Sequence, residues 1–260
     1  MFLNSPLEQF QILPLINLYF GGFDFSITNS ICITMIGLGS FLFLVNSLLL
    51  SPNESSLAFH SHFSVVPGRW QVIVEGLYEV IANMLKDIVG ARGENFFPYV
   101  FTLFTFILIS NLIGLVPYSF TSTSHLIVTF FLAAMTFIGI NIIGGQTHGV
   151  HFFSLFFPPG SPLGLAPLLI PIEIVSYIFR PISLSVRLFA NMMAGHTLLK
   201  VIGGFAWNMM SSSGLLFIAH FVPIFVLILL MGLELGVAIV QAYVFIILTC
   251  IYLSDAISLH

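Results

Sequence analysis

Long apolar runs separated by short polar segments dominate this chain. Residues 27–50 form the first run long enough to cross a bilayer as a helix, which takes about 20 residues. The runs at 96–116 and 126–143 follow, joined by the short, uncharged link 117–124. We therefore predict a first membrane span at 27–50 and a helical hairpin over 96–143.

The last two apolar runs are too long for single upright spans. Residues 172–207 and 215–253 would extend about 54 and about 58 Å as helices. The hydrocarbon layer is only about 30 Å thick. Prolines over 156–171 prevent a continuous helix before the first run. We expect a long, steeply tilted helix pair at 163–207 and 215–253, closed as a hairpin by residues 203–214.

The segment 67–92 follows a different pattern. Apolar residues recur there with the i, i+3, i+4, i+7 spacing of one helix face. They are Trp70, Ile73, Val74, Leu77, Ile81, Met84, Leu85 and Ile88. Polar residues such as Glu75 and Lys86 fall on the other face. This pattern predicts an amphipathic helix lying in the membrane interface. A helix packed on a partner subunit is the alternative.

Composition excludes a soluble protein. Of the 260 residues, 58% are hydrophobic and 6% are charged, and the mean hydropathy is +1.10. Soluble domains contain about 25% charged residues, and no basic patch for nucleic acid is present. We predict an all-α polytopic membrane protein with about five membrane helices and one interfacial amphipathic helix. It forms a single membrane domain over 1–260. Cys32 and Cys250 lie in separate apolar runs, which favours free thiols.

The few basic residues predict the orientation of the chain. Arg69, Lys86 and Arg92 lie between the first and second spans, whereas residues 1–26 contain no Lys or Arg. The positive-inside rule places the segment 51–95 on the negative (N) side of the membrane. Residues 1–26 then lie on the positive (P) side.

One predicted helix carries most of the intramembrane charge. Its polar residues are Glu173, Arg180, Ser183, Arg187, Asn191 and His196. An ionisable group near the centre of a membrane helix costs at least ~2.5 kcal/mol. At ~100° per residue, Arg180 lies within ~20° of Arg187, whereas His196 points to the opposite face. Inward packing explains one or two such groups but not all of them, so we expect them to move charge.

The residue types indicate different roles. Arginine stays protonated at physiological pH, so an intramembrane arginine suits a fixed cation and not a proton carrier. Glutamate and histidine can titrate when their surroundings shift them. On the last helix, Glu234 and Gln241 are seven residues apart and share a face. We expect Glu173 to act as a proton relay towards the N side, and His196 with Glu234 towards the P side.

Several motifs resemble one family. SLSVRLFANMMAGH (183–196) and LELGVAIVQAYVFIILTCIYLSDAI (233–257) resemble subunit a of the F-type rotary ATP synthase. NLIGLVPYSF (111–120) and THGVHFFSLFFPPG (147–160) extend the resemblance. SPLEQF (5–10) is similar to the mitochondrial form of plants and related protists. The resemblance covers most of the chain from about residue 96 onward.

The resemblance implies a role for each matching residue. Arg187 matches the essential stator arginine, which faces the carboxylates of the rotating c-ring. The positions lining the P-side access path are matched by Asn191, His196, Glu234 and Gln241. Glu173 matches the N-side exit path, where Arg180 and Ser183 are secondary candidates. Pro181 departs from the family pattern, which leaves the role of Arg180 and the local helix geometry open.

The resemblance also implies the setting of the protein. We expect a multi-pass protein of the mitochondrial inner membrane that has no catalytic residues, no cofactor and no metal. Its expected partners are the c-ring, the peripheral stalk, other membrane subunits of the ATP synthase and the lipid bilayer.

Two other functions remain as alternatives. A stand-alone secondary transporter or ion channel would fit the proline-rich segments and the midplane charges, and it predicts inverted internal repeats. No such repeat is visible in the sequence. A redox-complex subunit would need paired inward histidines as haem ligands, a context that His196 and His220 lack.

Overall fold

The computed structural model describes residues 6–20, 23–24, 26–49, 69–116, 119–149, 166–211 and 219–257. The helices of this part of the chain are α1 (Asn29–Leu49), α2 (Arg69–Ile88), α3 (Phe97–Gly114), α4 (Leu126–His148), α5 (Ala166–Ser211) and α6 (Phe221–Ile257). The predicted all-α polytopic architecture is confirmed, including the two long helices at its C-terminal end.

The segment before α1 forms short turns and strands. A 3₁₀ helix at Pro6–Phe10 is followed by four strands: β1 (Pro14–Ile16), β2 (Tyr19–Phe20), β3 (Phe23–Asp24) and β4 (Ile27–Thr28). They pair as antiparallel β1–β4 and β2–β3. The Asn29 side-chain oxygen accepts hydrogen bonds from the backbone N–H groups of Leu13 and Ser30. The bond from Leu13 joins this segment to the start of α1.

Four of the described helical segments are long and apolar enough to cross a membrane. They are Arg92–Gly114, Leu126–His148, Pro167–Ser211 and Phe221–Ile257. The described apolar part of α1, Asn29–Phe43, is shorter than these. α2 is not among them, in keeping with its amphipathic pattern.

The predicted amphipathic helix is formed by α2, and its apolar face packs against the other helices of the chain. Ile81, Met84 and Leu85 are buried in a core with residues of α3, α5 and α6, among them Ile107 and Phe245. Against membrane helices, burial of this kind stabilises mainly through van der Waals packing. Its location in the membrane interface stays a prediction.

The two long helices run antiparallel along each other. As the residue number rises along α5, the number of its partner on α6 falls: Arg180 lies beside Asp255, and His196 lies beside Glu234. At ~1.5 Å per residue, the 46 residues of α5 extend about 69 Å and the 37 residues of α6 about 56 Å. The hairpin is therefore present, and its steep tilt stays a prediction.

Several helix ends differ from the predicted bounds. α5 continues through Gly203 and Gly204 to Ser211, four residues beyond the predicted end. α6 is described from Phe221 onward, and its predicted start at residue 215 lies outside the described residues. The predicted start at residue 163 and most of the link lie outside the described residues. α4 continues to His148 and ends at Gly149, whose φ of 55° favours a glycine.

Candidate functional site

The centre of the site is a contact between the two long helices. His196 of α5 places Nδ1 3.4 Å from Oε1 of Glu234 on α6. Glu234 is 5% exposed, and His196 is half-buried. The contact is longer than the ~2.6–3.2 Å over which a carboxyl group and an imidazole exchange a proton, so a small approach of the two side chains is needed for transfer. Residues 38 positions apart in sequence thus lie side by side, and their role as proton relays towards the P side stays a prediction.

A cavity of about 220 Å³ opens beside the carboxyl group. Its lining includes Asn191, Gly195 and Glu234, together with leucine side chains of α5 and α6. Both carboxylate oxygens of Glu234 are buried without a hydrogen-bond partner among the described residues. The volume of the cavity exceeds the roughly 30 Å³ that a water molecule takes up in the liquid, and Asn191 and Glu234 are the polar residues of its otherwise apolar lining. Asn191 and Glu234 therefore line the same cavity, and their membership of one proton path stays a prediction.

A second contact to His196 comes from the link between α3 and α4. Thr121 Oγ1 lies 3.1 Å from His196 Nε2. The neighbouring residues Ser122, Thr123 and Ser124 are buried as well. The sequence reasoning missed Thr121, because it treated the link only as a short, uncharged connection between two spans. The run of four hydroxyl residues in a chain this apolar was the signal available.

Arg187 lies on the opposite side of α5 from this pair. Its side chain is exposed at the surface of the chain, as are those of Ser183 and Ala190 on the same helix. His196 is nine residues further along, which is half a turn around the helix and about 14 Å along its axis. The predicted separation of the fixed cation from the titratable pair is therefore present in the structure.

Arg180 belongs to a separate cluster between α5, α6 and α4. Its Nη1 lies 3.5 Å from Asp255 Oδ2, and its guanidinium carbon lies 5.2 and 5.1 Å from the ring centroids of Tyr177 and Tyr252. The Tyr177 hydroxyl donates to Asn141 Oδ1 on α4. Sequence reasoning did not propose Asp255 as a partner. An acidic residue near the end of the last apolar run was the only indication of this partner. Its contact with Arg180 could not be inferred from sequence spacing, because it depends on how α5 and α6 pair.

The remaining predicted residues lie apart from both clusters. Glu173 is half-buried, two turns before Arg180 on α5, and Gln241 is half-buried, two turns beyond Glu234 on α6. The structure thus brings together His196, Glu234 and Asn191. Glu173 lies elsewhere on α5, and Gln241 lies two turns further along α6 than Glu234.

Comparison with known proteins identifies the family of this chain. The family described as ATP synthase A chain matches residues 26–254. "ATP synthase subunit a" of the brown alga Pylaiella littoralis is 57% identical over 257 residues, which cover 99% of each chain. The proteins of the same name from Chondrus crispus and Marchantia polymorpha are 50% and 49% identical, over 99% and 98% of this chain and 98% and 99% of theirs. With its two long antiparallel helices and their buried His–Glu pair, the chain belongs to the ATP synthase subunit a family.

Proposed function

We propose that this chain is the proton-translocating stator subunit of the F-type ATP synthase membrane sector. It provides two offset half-channels that pass protons to and from a rotating c-ring. Family membership supports this role, and one observation in the structure carries it. Arg187 is exposed on one side of α5, whereas the titratable pair His196–Glu234 is enclosed on the other side.

The exposed Arg187 needs a partner outside this chain. A cation near the middle of a membrane helix costs about 2.5–3.5 kcal/mol on insertion scales. A carboxylate presented by an adjacent subunit would offset that cost, and the c-ring is the partner that offers one. Because arginine keeps its charge, Arg187 would attract each deprotonated ring carboxylate and block direct passage of protons between the two sides.

The P-side half-channel consists of Asn191, His196, Glu234 and Gln241. The shared cavity and the 3.4 Å contact between His196 and Glu234 support a path that ends beside the buried carboxyl group. On the N side, Glu173 is the exit group, with Arg180 and Ser183 as secondary candidates. Offset paths prevent a leak that would dissipate about 2.3 kcal/mol per proton for each 100 mV.

The setting of the protein follows from the same role. We place the chain in the mitochondrial inner membrane, where it contacts the c-ring, the peripheral stalk and other membrane subunits. It contributes no catalytic residue and no cofactor, since ATP chemistry belongs to other subunits of the complex. The similarity to algal and plant proteins named ATP synthase subunit a supports this assignment.

Replacement of Arg187 by alanine tests the proposal. The Arg187 side chain is exposed, so the complex should assemble, which native electrophoresis would verify. Proton-driven ATP synthesis in reconstituted vesicles should fall to background. Val175→Ala, at another exposed position of α5, is the control and should retain normal synthesis. Normal synthesis in Arg187→Ala would contradict the assignment.

A further inference from the structure

The α3–α4 link folds against the hydrogen-bonding edge of His196. Thr121 is buried, and its Oγ1 lies 3.1 Å from His196 Nε2 and 3.3 Å from the carbonyl oxygen of Gly114. A hydroxyl group has only one hydrogen to donate. The direction of the Thr121–His196 hydrogen bond therefore depends on which neighbour takes that hydrogen.

The end of α3 decides the direction. Gly114 is the last residue of α3, and the last four carbonyl groups of a helix lack intrahelical partners. Ser119 Oγ lies 2.6 Å from the carbonyl oxygen of Ile113 and 3.2 Å from that of Gly114, so its hydrogen goes to the nearer Ile113 oxygen. The Gly114 carbonyl oxygen can only accept, whereas His196 Nε2 can donate or accept, so both contacts of Thr121 are hydrogen bonds only when Thr121 donates to Gly114. The Thr121 oxygen is then left to accept a hydrogen from His196 Nε2.

The hydrogen on Nε2 determines what the other ring nitrogen can do. A neutral imidazole carries one hydrogen, so Nδ1 has a free lone pair when Nε2 is protonated. Glu234 Oε1 is the nearby carboxylate atom, 3.4 Å from Nδ1, and a small approach of the two side chains would bring them within hydrogen-bonding reach. On this basis, which rests on the function proposed above, we propose that Thr121 is a positioning residue. It holds the hydrogen on Nε2, so that Nδ1 alone exchanges a proton with Glu234.

The proton exchange is balanced within the pair. When the Glu234 carboxyl group is protonated, its O–H bond breaks and an N–H bond forms at Nδ1. The products are an imidazolium, with hydrogen on both nitrogens, and a carboxylate. The reverse step restores the neutral pair. Because Nε2 keeps its hydrogen throughout, the pair exchanges protons with its surroundings on the Glu234 side, where the cavity that it shares with Asn191 lies.

Two further contacts hold Thr121 and His196 in the positions that this hydrogen bond requires. A Cβ atom added at Gly114 would lie only 2.6 Å from Thr121 Cγ2, so the threonine side chain sits directly against the end of α3. The ring of Phe10 stands edge-on to the His196 ring, with 6.5 Å between their centroids. These contacts restrict both the threonine rotamer and the imidazole orientation on which the proposed tautomer depends.

The test compares Thr121→Val with Thr121→Ser in the assembled ATP synthase, reconstituted in liposomes and driven by an acid–base jump. Valine keeps the shape of threonine but offers no acceptor, whereas serine keeps the hydroxyl group. We expect Thr121→Val to slow ATP synthesis about two- to tenfold, the factor that follows from one lost net hydrogen bond. Thr121→Ser should restore the rate to within about twofold of the original protein.

Thr123 offers a matched control in the same link. It is buried, and its Oγ1 has no hydrogen-bond partner within the described part of the chain. Thr123→Val should therefore leave the rate unchanged. An unchanged rate in Thr121→Val would overturn the inference, as would an equal loss in Thr121→Ser or Thr123→Val.

Two further measurements separate the possible failures. If Thr121→Val does not assemble, Thr121→Ala removes the acceptor without adding bulk, and loss of assembly in both would overturn the inference in favour of a folding role. Glu234→Gln in the same assay tests the proposed P-side path itself. If Glu234→Gln synthesises ATP slowly while Thr121→Val synthesises it at the normal rate, only the role of Thr121 is overturned. Normal rates in Glu234→Gln overturn the path as well.

Discussion

Gly195 of α5 lies against the carboxyl group of Glu234 on α6. A Cβ atom at position 195 would be 2.7 Å from Oε1, 3.0 Å from Cδ and 3.3 Å from Cγ of Glu234. Contacts below 3.0 Å are essentially never seen for real Cβ atoms. The absence of a side chain at Gly195 is therefore what allows the carboxyl group to lie next to His196.

Replacement of Gly195 by alanine should slow proton transfer without unfolding the helix. Alanine favours a helix over glycine by about 1 kcal/mol, so α5 itself would gain stability. The flexible end of Glu234 would have to move, and it would leave its 3.4 Å contact with His196. We expect a reduced rate of ATP synthesis after an acid–base jump, with the subunit still assembled.

Gly204→Ala is the matched control for this experiment. Gly204 lies on the same helix, and a Cβ atom added there would meet nothing within 4 Å. This variant should synthesise ATP at the original rate. Equal inhibition in both variants would indicate a general effect of alanine in α5 and would contradict the role assigned to Gly195.

Glu234→Gln should slow proton flow from the P side. Glutamine keeps the size of the side chain and its place in the cavity, but it cannot release a proton. The rate of proton uptake by reconstituted vesicles, followed with a pH-sensitive dye, measures the effect. An unchanged uptake rate would remove Glu234 from the path.

The fold was largely predictable because the hydrocarbon layer restricts the choices. Run length alone indicated the long pair α5 and α6, and the apolar stripe from Trp70 to Ile88 indicated α2. The helix ends were less predictable. Gly203 and Gly204 suggested a turn, yet α5 continues through both. A helix satisfies its backbone hydrogen bonds internally, and in lipid that gain exceeds the local preference of glycine.

The site was predictable only where its chemistry lies within one helix. The half-turn between Arg187 and His196 follows from helical periodicity. Thr121 is 75 residues from its partner His196, and Asp255 is 75 residues from its partner Arg180. No rule of helical spacing predicts contacts at such a separation. Their roles depend on the pairing of α5 with α6 and on the inward fold of the α3–α4 link, which the sequence pattern does not specify.

Arg180 should matter more for stability than its partner Asp255. The ion pair is partly exposed, at 25% and 46% for the two side chains, so it is worth only about 0–1 kcal/mol. Arg180 also lies over the rings of Tyr177 and Tyr252, and each such contact adds about 0.5–1 kcal/mol. Arg180→Gln should therefore lower the thermal dissociation temperature of the assembled subunit more than Asp255→Asn. The reverse order would indicate that the rings contribute little.

The packing of α2 gives a prediction about where its apolar face is buried. Ile81 and Ile73 lie on the same predicted stripe, but Ile81 is 0% exposed in the core with α3 and α6, whereas Ile73 is 51% exposed. Ile81→Ala should destabilise the subunit by about 2–5 kcal/mol, the usual cost of a cavity in a core. Ile73→Ala should change it by less than about 0.5 kcal/mol, because this residue is exposed and lies outside the buried core. Thermal dissociation of the two variants in one detergent measures the difference. If α2 were held mainly by the membrane surface, the two substitutions would have equal effects, because each removes the same apolar side chain from the same helix.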